Sequence, residues 1–100
     1  MKEESSDTPP ALKLHLEVLK AIAHPLRIQI IDFIHTHKEV NVNKIYSALG
    51  FEQSITSQHL KTMRTAGVVI HRKTERFVFY SLDYDVLAKV GHALTALQTD

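Results

Sequence analysis

Two glycines, Gly50 and Gly67, each close an amphipathic segment too short to be stable alone, and this punctuation constrains the chain more than any other feature. Before Gly50, Asn43 reads as the cap of a short helix with Ile45 and Leu49 turned inward. Phe51-Glu52-Gln53 then forms a tight turn, and a further helix runs from about Ser54 to Ala66, stopped by Gly67. Two short helices joined by a tight turn that follows a glycine have the outline of a helix-turn-helix. Neither helix can bury its apolar side without the other, so the pair must fold onto a shared core.

The flanking sequence supplies that core. Residues 1–8 read as a polar, disordered tail, and residues 9–100 as a single domain. Thr8 followed by Pro9-Pro10 marks a helix start, and this first helix extends to about Ala23. Leu12, Leu16, Leu19 and Ala23 form one apolar stripe along it, with Ala11, Leu14, Val18 and Ile22 beside it. The combined face suits either a fully buried helix or one shared between the core and a partner subunit. His24-Pro25 breaks the helix, because a residue before proline is pushed out of the α region. A second helix follows with Leu26, Ile30, Phe33 and Ile34 on one face, fading over His35 to Glu39, and Val40-Asn41-Val42 is a short extended link. After Gly67, the runs Val68–Arg72 and Phe77–Leu82 are rich in β-formers and separated by the polar Lys73-Thr74-Glu75-Arg76, which reads as a hairpin. Asp83 caps a last helix carrying Leu87, Val90, Leu94 and Leu97 at alternating three and four spacing, a seam longer than so small a core requires. The fold class is therefore mainly α with a small β-hairpin, a winged helix-turn-helix with an added N- and C-terminal helix pair.

Composition narrows the function. No apolar run approaches the roughly 18 residues of a membrane span. Residues 1–8, with Glu3, Glu4 and Asp7, do not read as a secretory signal, so a soluble, cytoplasmic protein is expected. The absence of cysteine excludes disulfides, thiolate metal sites and cysteine nucleophiles. No carboxylate pair, activated nucleophile or glycine-rich phosphate loop stands out, so no enzyme and no cofactor is expected. The net charge is +1, but Gln53 to Arg76 carries five basic residues against Glu75 alone, or +4. The remainder holds seven basic and ten acidic residues, or −3. A basic block on a nearly neutral chain points to a polyanionic partner.

The helix from Ser54 has two unlike sides. Thr56, Leu60 and Met63 point inward, whereas Ser54, Ser57, Gln58 and Lys61 share the other side, flanked by Gln53 and Arg64. Hydroxyls, amides and cations with no carboxylate among them can reach phosphates and base edges without repelling a duplex. Gln58 has the two-pronged amide that matches adenine. Arg72, Lys73 and Arg76 on the hairpin suit flanking phosphates or the minor groove.

Over roughly Leu19 to Leu82 the sequence resembles the ArsR/SmtB family of bacterial winged-helix transcriptional repressors. The matching pieces are Leu19-Lys20-Ala21-Ile22-Ala23-His24-Pro25-Leu26-Arg27, Ala48-Leu49-Gly50, the segment Gln53-Ser54-x-x-Ser57-Gln58-His59-Leu60-Lys61, Ala66-Gly67-Val68-Val69, and Arg76 with Phe79-Tyr80. The resemblance implies a homodimer pairing through its first and last helices, with Leu12, Leu16, Leu19, Leu87, Val90, Leu94 and Leu97 at the contact. It also implies a partner of double-stranded DNA, at a palindromic operator. Three departures stand out. Ile55-Thr56 replaces the family's usual order of threonine then apolar residue, the hairpin tip Lys73–Arg76 lacks the common glycine, and Glu52 occupies the usual serine or threonine cap. A tip that needs no positive φ, in a longer or looser loop, is expected.

Family members often release DNA on binding metal, but the thiolate site requires cysteine, and the last helix offers only Asp83, Asp85 and His92. The seven histidines are scattered, with His35 and His37 pointing to different faces and His59 packed beneath its helix; His15 and His92 form the one composite pair worth testing, and no metal site is expected. Two readings stand beside the DNA-binding regulator: a winged-helix protein-interaction module without DNA binding, and a metal- or ligand-gated sensor using a non-thiolate site.

Overall fold

Five helices and three short strands build the protein, which a computed structural model describes over residues 10–98, with side chains over 13–95. The tail, the Thr8 cap and the side chains of Leu12 and Leu97 lie outside the described residues. In order the elements are α1 (Pro10–Ile22), α2 (Pro25–His37), β1 (Val40–Asn41), α3 (Val42–Leu49), α4 (Gln53–Thr65), β2 (Val69–Lys73), β3 (Val78–Leu82) and α5 (Tyr84–Gln98). Among the described residues no helix is long and apolar enough to cross a membrane.

The boundaries have local causes. His24 takes an extended conformation, and its Nδ1 accepts the Leu26 N–H at 3.1 Å, so the residue that ends α1 also caps α2. Gly50 and Gly67 adopt φ of +74° and +87°, the left-handed region that ends a helix without a Cβ penalty. Asp83 caps α5 as expected, accepting the Val86 N–H at 3.1 Å. The cap of α3 is corrected: Asn41, not Asn43, accepts the Lys44 N–H at 2.9 Å, and the helix begins at Val42.

The link at Val40 is corrected too. It is a strand, and the sheet has three strands in the order β1-β3-β2, all antiparallel, with Val40 opposite Tyr80 and Val69 opposite Leu82. Pairing with β3 joins the N-terminal half of the chain to the hairpin and fixes where α3 can start.

One apolar cluster takes residues from every element: Val18, Ile30, Ile34, Val40, Ile45, Leu60, Met63, Val68, Val69, Leu82 and Val90. The inward side of α4 is as read, with Thr56, Leu60 and Met63 fully buried. The Thr56 hydroxyl donates to the Glu52 carbonyl at 2.9 Å, so the one polar group in this layer is satisfied. The stripes of α1 divide otherwise. Val18 and Ala21 enter the core, whereas Leu14 is 68% and Leu16 44% exposed. Along α5, Val90 is 3% exposed and Leu87 packs against the core, leaving Leu94 at 41%.

Truncating the centre of this cluster gives a direct measure of its weight. Leu60→Ala, at a site with no exposure, is expected to lower unfolding free energy by about 2–5 kcal/mol in a urea titration followed by circular dichroism.

Candidate nucleic-acid interface

The buried stripe of α4 leaves Gln53, Ser54, Ser57, Gln58, Lys61 and Arg64 exposed, all on or beside one face. Glu52 is the N-cap but makes no side-chain capping bond, so the first-turn N–H groups of the helix stay open beside Ser54. Such a helix start attracts phosphate through its exposed donors and the helix dipole, although the Glu52 carboxylate opposes this locally. Ile55 is also exposed, next to this face, while its neighbour Thr56 is buried. The unusual Ile55-Thr56 order therefore places the apolar residue outside and a satisfied hydroxyl inside. An exposed isoleucine beside Gln58 can meet a thymine methyl. Lys61 sits at the rim of a groove of about 700 Å³ between α1, α4 and α5.

The hairpin closes without glycine. The Thr74 N–H donates to the Phe77 carbonyl at 2.8 Å, and the Thr74 hydroxyl oxygen accepts the Phe77 N–H at 3.0 Å. Among the described residues the only non-glycine with positive φ is Lys38, so the wing tip carries no such strain. A threonine side chain supplies here what a tighter turn would take from glycine. The tip is thus a longer loop over residues 74–77 without positive φ, as its sequence predicts, and side-chain bonding closes it.

The three basic residues of the wing are not equivalent. Lys73 and Arg76 are exposed. Arg72 is held by both oxygens of Glu39: its Nε donates to Oε2 at 3.1 Å and its Nη2 to Oε1 at 2.9 Å. The guanidinium also lies 4.9 Å from the centre of the Phe79 ring, its cross-strand neighbour. Glu39 reaches this position because Lys38 adopts φ +71°, turning the chain sharply out of α2 into β1. The Arg72 guanidinium holds the Glu39 carboxyl below its usual range, chiefly through these hydrogen bonds, and Glu39 in turn raises Arg72. Sequence reasoning placed Arg72 with the phosphate contacts. Its main partner is intramolecular, and a glutamate 33 residues away leaves no signal in a local pattern.

Comparison with known proteins agrees with this geometry. The family signature described as bacterial regulatory protein, arsR family, matches residues 24–71. The transcriptional repressor PagR of Bacillus anthracis is 40% identical over 83 residues, covering 82% of each chain. The chain belongs to the ArsR family. The crystal structure of PagR superposes with a TM-score of 0.71 at 32% identity, covering 83% of this chain and 95% of that one. A homodimeric winged helix-turn-helix DNA-binding domain from Mycobacterium bovis gives a TM-score of 0.75 over 97% of this chain and 90% of that one, and at 24% identity it speaks for the fold alone. The fold of this ArsR-family chain is a winged helix-turn-helix, with α3 and α4 as the helix pair and β2 and β3 as the wing.

The residues assigned to pairing divide in the structure of this family member. Leu16 and Leu94 are exposed and Leu19 is half-buried, whereas Val90 and much of Leu87 serve the protomer's own core. Leu14, from the second stripe, is the most exposed large apolar side chain among the described residues of the helix. His15 is half-buried on α1 and His92 exposed on α5. Among the described residues, no three His, Asp or Glu side chains gather as a metal site would require.

The wing clamp has a definite pH signature. The lowered Glu39 carboxyl means that the clamp is complete above the ordinary carboxylate range and opens as pH falls through the lowered value. The Arg72 Nε–H resonance in an NMR titration is expected to vanish with that midpoint, and in Glu39→Gln to lose its acid transition while the melting temperature barely moves.

Proposed function

We propose that the protein is a homodimeric, sequence-specific DNA-binding transcriptional repressor that places α4 in the major groove of a palindromic operator. The observation that carries this reading is the division of α4 itself. A fully buried Thr56-Leu60-Met63 stripe holds an outer face of Ser54, Ser57, Gln58 and Lys61 that contains no carboxylate. Gln58 is the base-reading residue, Ser54, Ser57 and Gln53 serve phosphates or either base type, and Lys61 and Arg64 hold the backbone. On the wing, Lys73 and Arg76 meet flanking phosphates, and Arg72 orients the strand that carries them. Family membership and the name of the repressor PagR support regulation by repression.

Pairing through α1 and α5 is supported by Leu14, Leu16 and Leu94, large apolar side chains left exposed by the protomer, and by the groove between these helices. The homodimeric state of the Mycobacterium bovis domain is consistent with it. In such a dimer the two recognition helices would meet half-sites about 34 Å apart. Leu94→Glu changes an exposed position, so the protomer is expected to stay folded while sedimentation shows a shift to monomer and operator affinity falls.

Selection of bound duplexes from a random pool tests the reading as a whole. With about 6–10 phosphate contacts, affinity for the selected duplex should fall roughly 10³- to 10⁵-fold between about 50 and 200 mM salt. A flat salt response, or no retained duplex, would sink the proposal. Gln58→Ala is expected to relax base preference at one position of each half-site at a cost of about 1–3 kcal/mol. Lys73→Ala should instead weaken all sequences alike and reduce the salt slope by about one. Identical behaviour of the two variants would remove Gln58 from base reading.

A further inference from the structure

Arg27, in the first turn of α2, reaches two other elements at once. Its Nη1 donates to the Ala21 carbonyl near the end of α1 at 3.0 Å, and its Nε donates to Nδ1 of His59 on α4 at 3.1 Å. One guanidinium therefore joins α1, α2 and the middle of the recognition helix. His59 lies between outward-facing Gln58 and fully buried Leu60, where a small rotation of the helix moves both. The ring of His24, the cap of α2, stands 4.7 Å from that of His59, centre to centre.

The direction of the hydrogen bond fixes the proton. Arginine has only N–H groups to offer, so His59 Nδ1 must be bare and the neutral ring carries its hydrogen on Nε2. Protonation would set one N–H against another and one cation against another. The surroundings give the imidazolium little relief. The titratable groups acting on it are His24 and Arg27, and Arg27 lines the groove that also meets His15, Lys20 and Glu17 of α1, Lys61 of α4 and Lys89 of α5. That set has one carboxylate among several basic groups. On the other sides of α4, the core presents Ile45 from α3 and Val69 from β2.

We propose that Arg27 and His59 are positioning residues for DNA recognition: the neutral imidazole locks α4 to α1 and α2, and protonation of His59 releases the lock and weakens DNA binding. This rests on the DNA-binding reading above. Burial first, then the charges of His24 and Arg27, hold the His59 imidazole below its ordinary value of 6.5. The lock is therefore complete above that ordinary value and opens as pH falls through the lowered one. The sign is diagnostic, because adding positive charge to surface histidines of a DNA-binding protein strengthens its attraction to phosphate. Only an internal change opposes that trend.

Two readouts test the lock. In the free protein, an NMR titration is expected to show His59 titrating below the ordinary imidazole value, with the Arg27 Nε–H signal disappearing at the same midpoint. With the selected duplex, wild-type affinity is expected to fall several-fold between about pH 7.5 and 5.5, less than the roughly tenfold that linkage to a group at the ordinary value of 6.5 would give. His59→Asn places an amide oxygen where Nδ1 was and cannot titrate, so it should keep the affinity at pH 7.5 and lose the acid decline. Arg27→Lys keeps the charge but not the fork, and should lower affinity at pH 7.5 and raise the His59 pKa, with the helical circular dichroism unchanged. Wild-type affinity that holds or rises on acidification overturns the proposal, as does an equally steep decline in His59→Asn. An ordinary His59 titration with the Arg27 signal independent of it overturns the lock without any reference to DNA. Failure to retain a duplex at neutral pH would instead overturn the functional reading, leaving the NMR titration to judge the lock alone.

Discussion

Burial of Thr56, Leu60 and Met63 sets the orientation of everything that α4 presents to the outside. Successive residues of a helix are turned by about 100°, so slipping the buried stripe by one position would put Ile55 where Ser54 stands, His59 where Gln58 stands and Thr62 where Lys61 stands. The stripe is held from several directions, since α4 packs against α3, β2, α1 and α2. Its polar member does not weaken it. The Thr56 hydroxyl bonds the Glu52 carbonyl one turn earlier, which satisfies the buried oxygen and fastens the start of the helix where its own cap residue makes no side-chain bond. What the outer face presents thus depends on a packing constraint on the inner one.

The parts of this arrangement that were legible from the sequence are those fixed by neighbours along the chain. Gly50 and Gly67 end helices because left-handed φ is cheap for glycine, and Asp83 caps α5 because its carboxylate reaches the amides just ahead. The inward side of α4 followed from a three-and-four spacing that only one face can satisfy. What was not legible depends on partners far along the chain. The sequence points to Asn43 as the cap of α3, and Asn41 takes the role because Val40 and Asn41 pair with Tyr80 and Phe79 some forty residues later. Glu39 with Arg72 and Arg27 with His59 are separated by 33 and 32 residues, and neither pair has a periodic signature. The wing tip was legible in part: without glycine it has to turn without positive φ, but no sequence pattern shows that the Thr74 hydroxyl closes the loop by accepting a backbone N–H.

Apolar periodicity has a further blind spot in α1 and α5. It reports that a residue avoids water and not which chain covers it. Val90 and Leu94 are successive members of one repeating seam, yet the first is buried by its own protomer and the second is left exposed. The same holds for Val18 and Leu14 on α1. The two helices therefore each contribute to both the protomer's core and its surface. This links folding to assembly: the core-facing halves fix the angle at which the exposed halves are offered, and any partner seated there inherits that angle.

Charge in the basic block is distributed by a similar division of labour. Of its five cations, Arg72 is turned inward to a carboxylate outside the block, so it contributes order to the wing at the expense of field strength. Arg27, outside the block, does the same for the recognition helix through His59. Both arginines tie their element to a distant part of the chain, and rigidity established beforehand lowers the entropic cost of binding. The acceptors differ in kind. Glu39 is a carboxylate whose proton affinity is lowered by the arginine it binds, whereas His59 is an imidazole whose proton affinity is lowered by burial and cationic neighbours. The carboxylate titrates from a reference of 4.5 and the imidazole from 6.5, both downward. A sensor of mild acidity needs a group of the second kind, since a salt-bridged carboxylate responds only far below neutrality. On the proposed lock, the recognition helix, held by the imidazole, is the element that responds first as pH falls, and the wing, held by the carboxylate, stays ordered while it does.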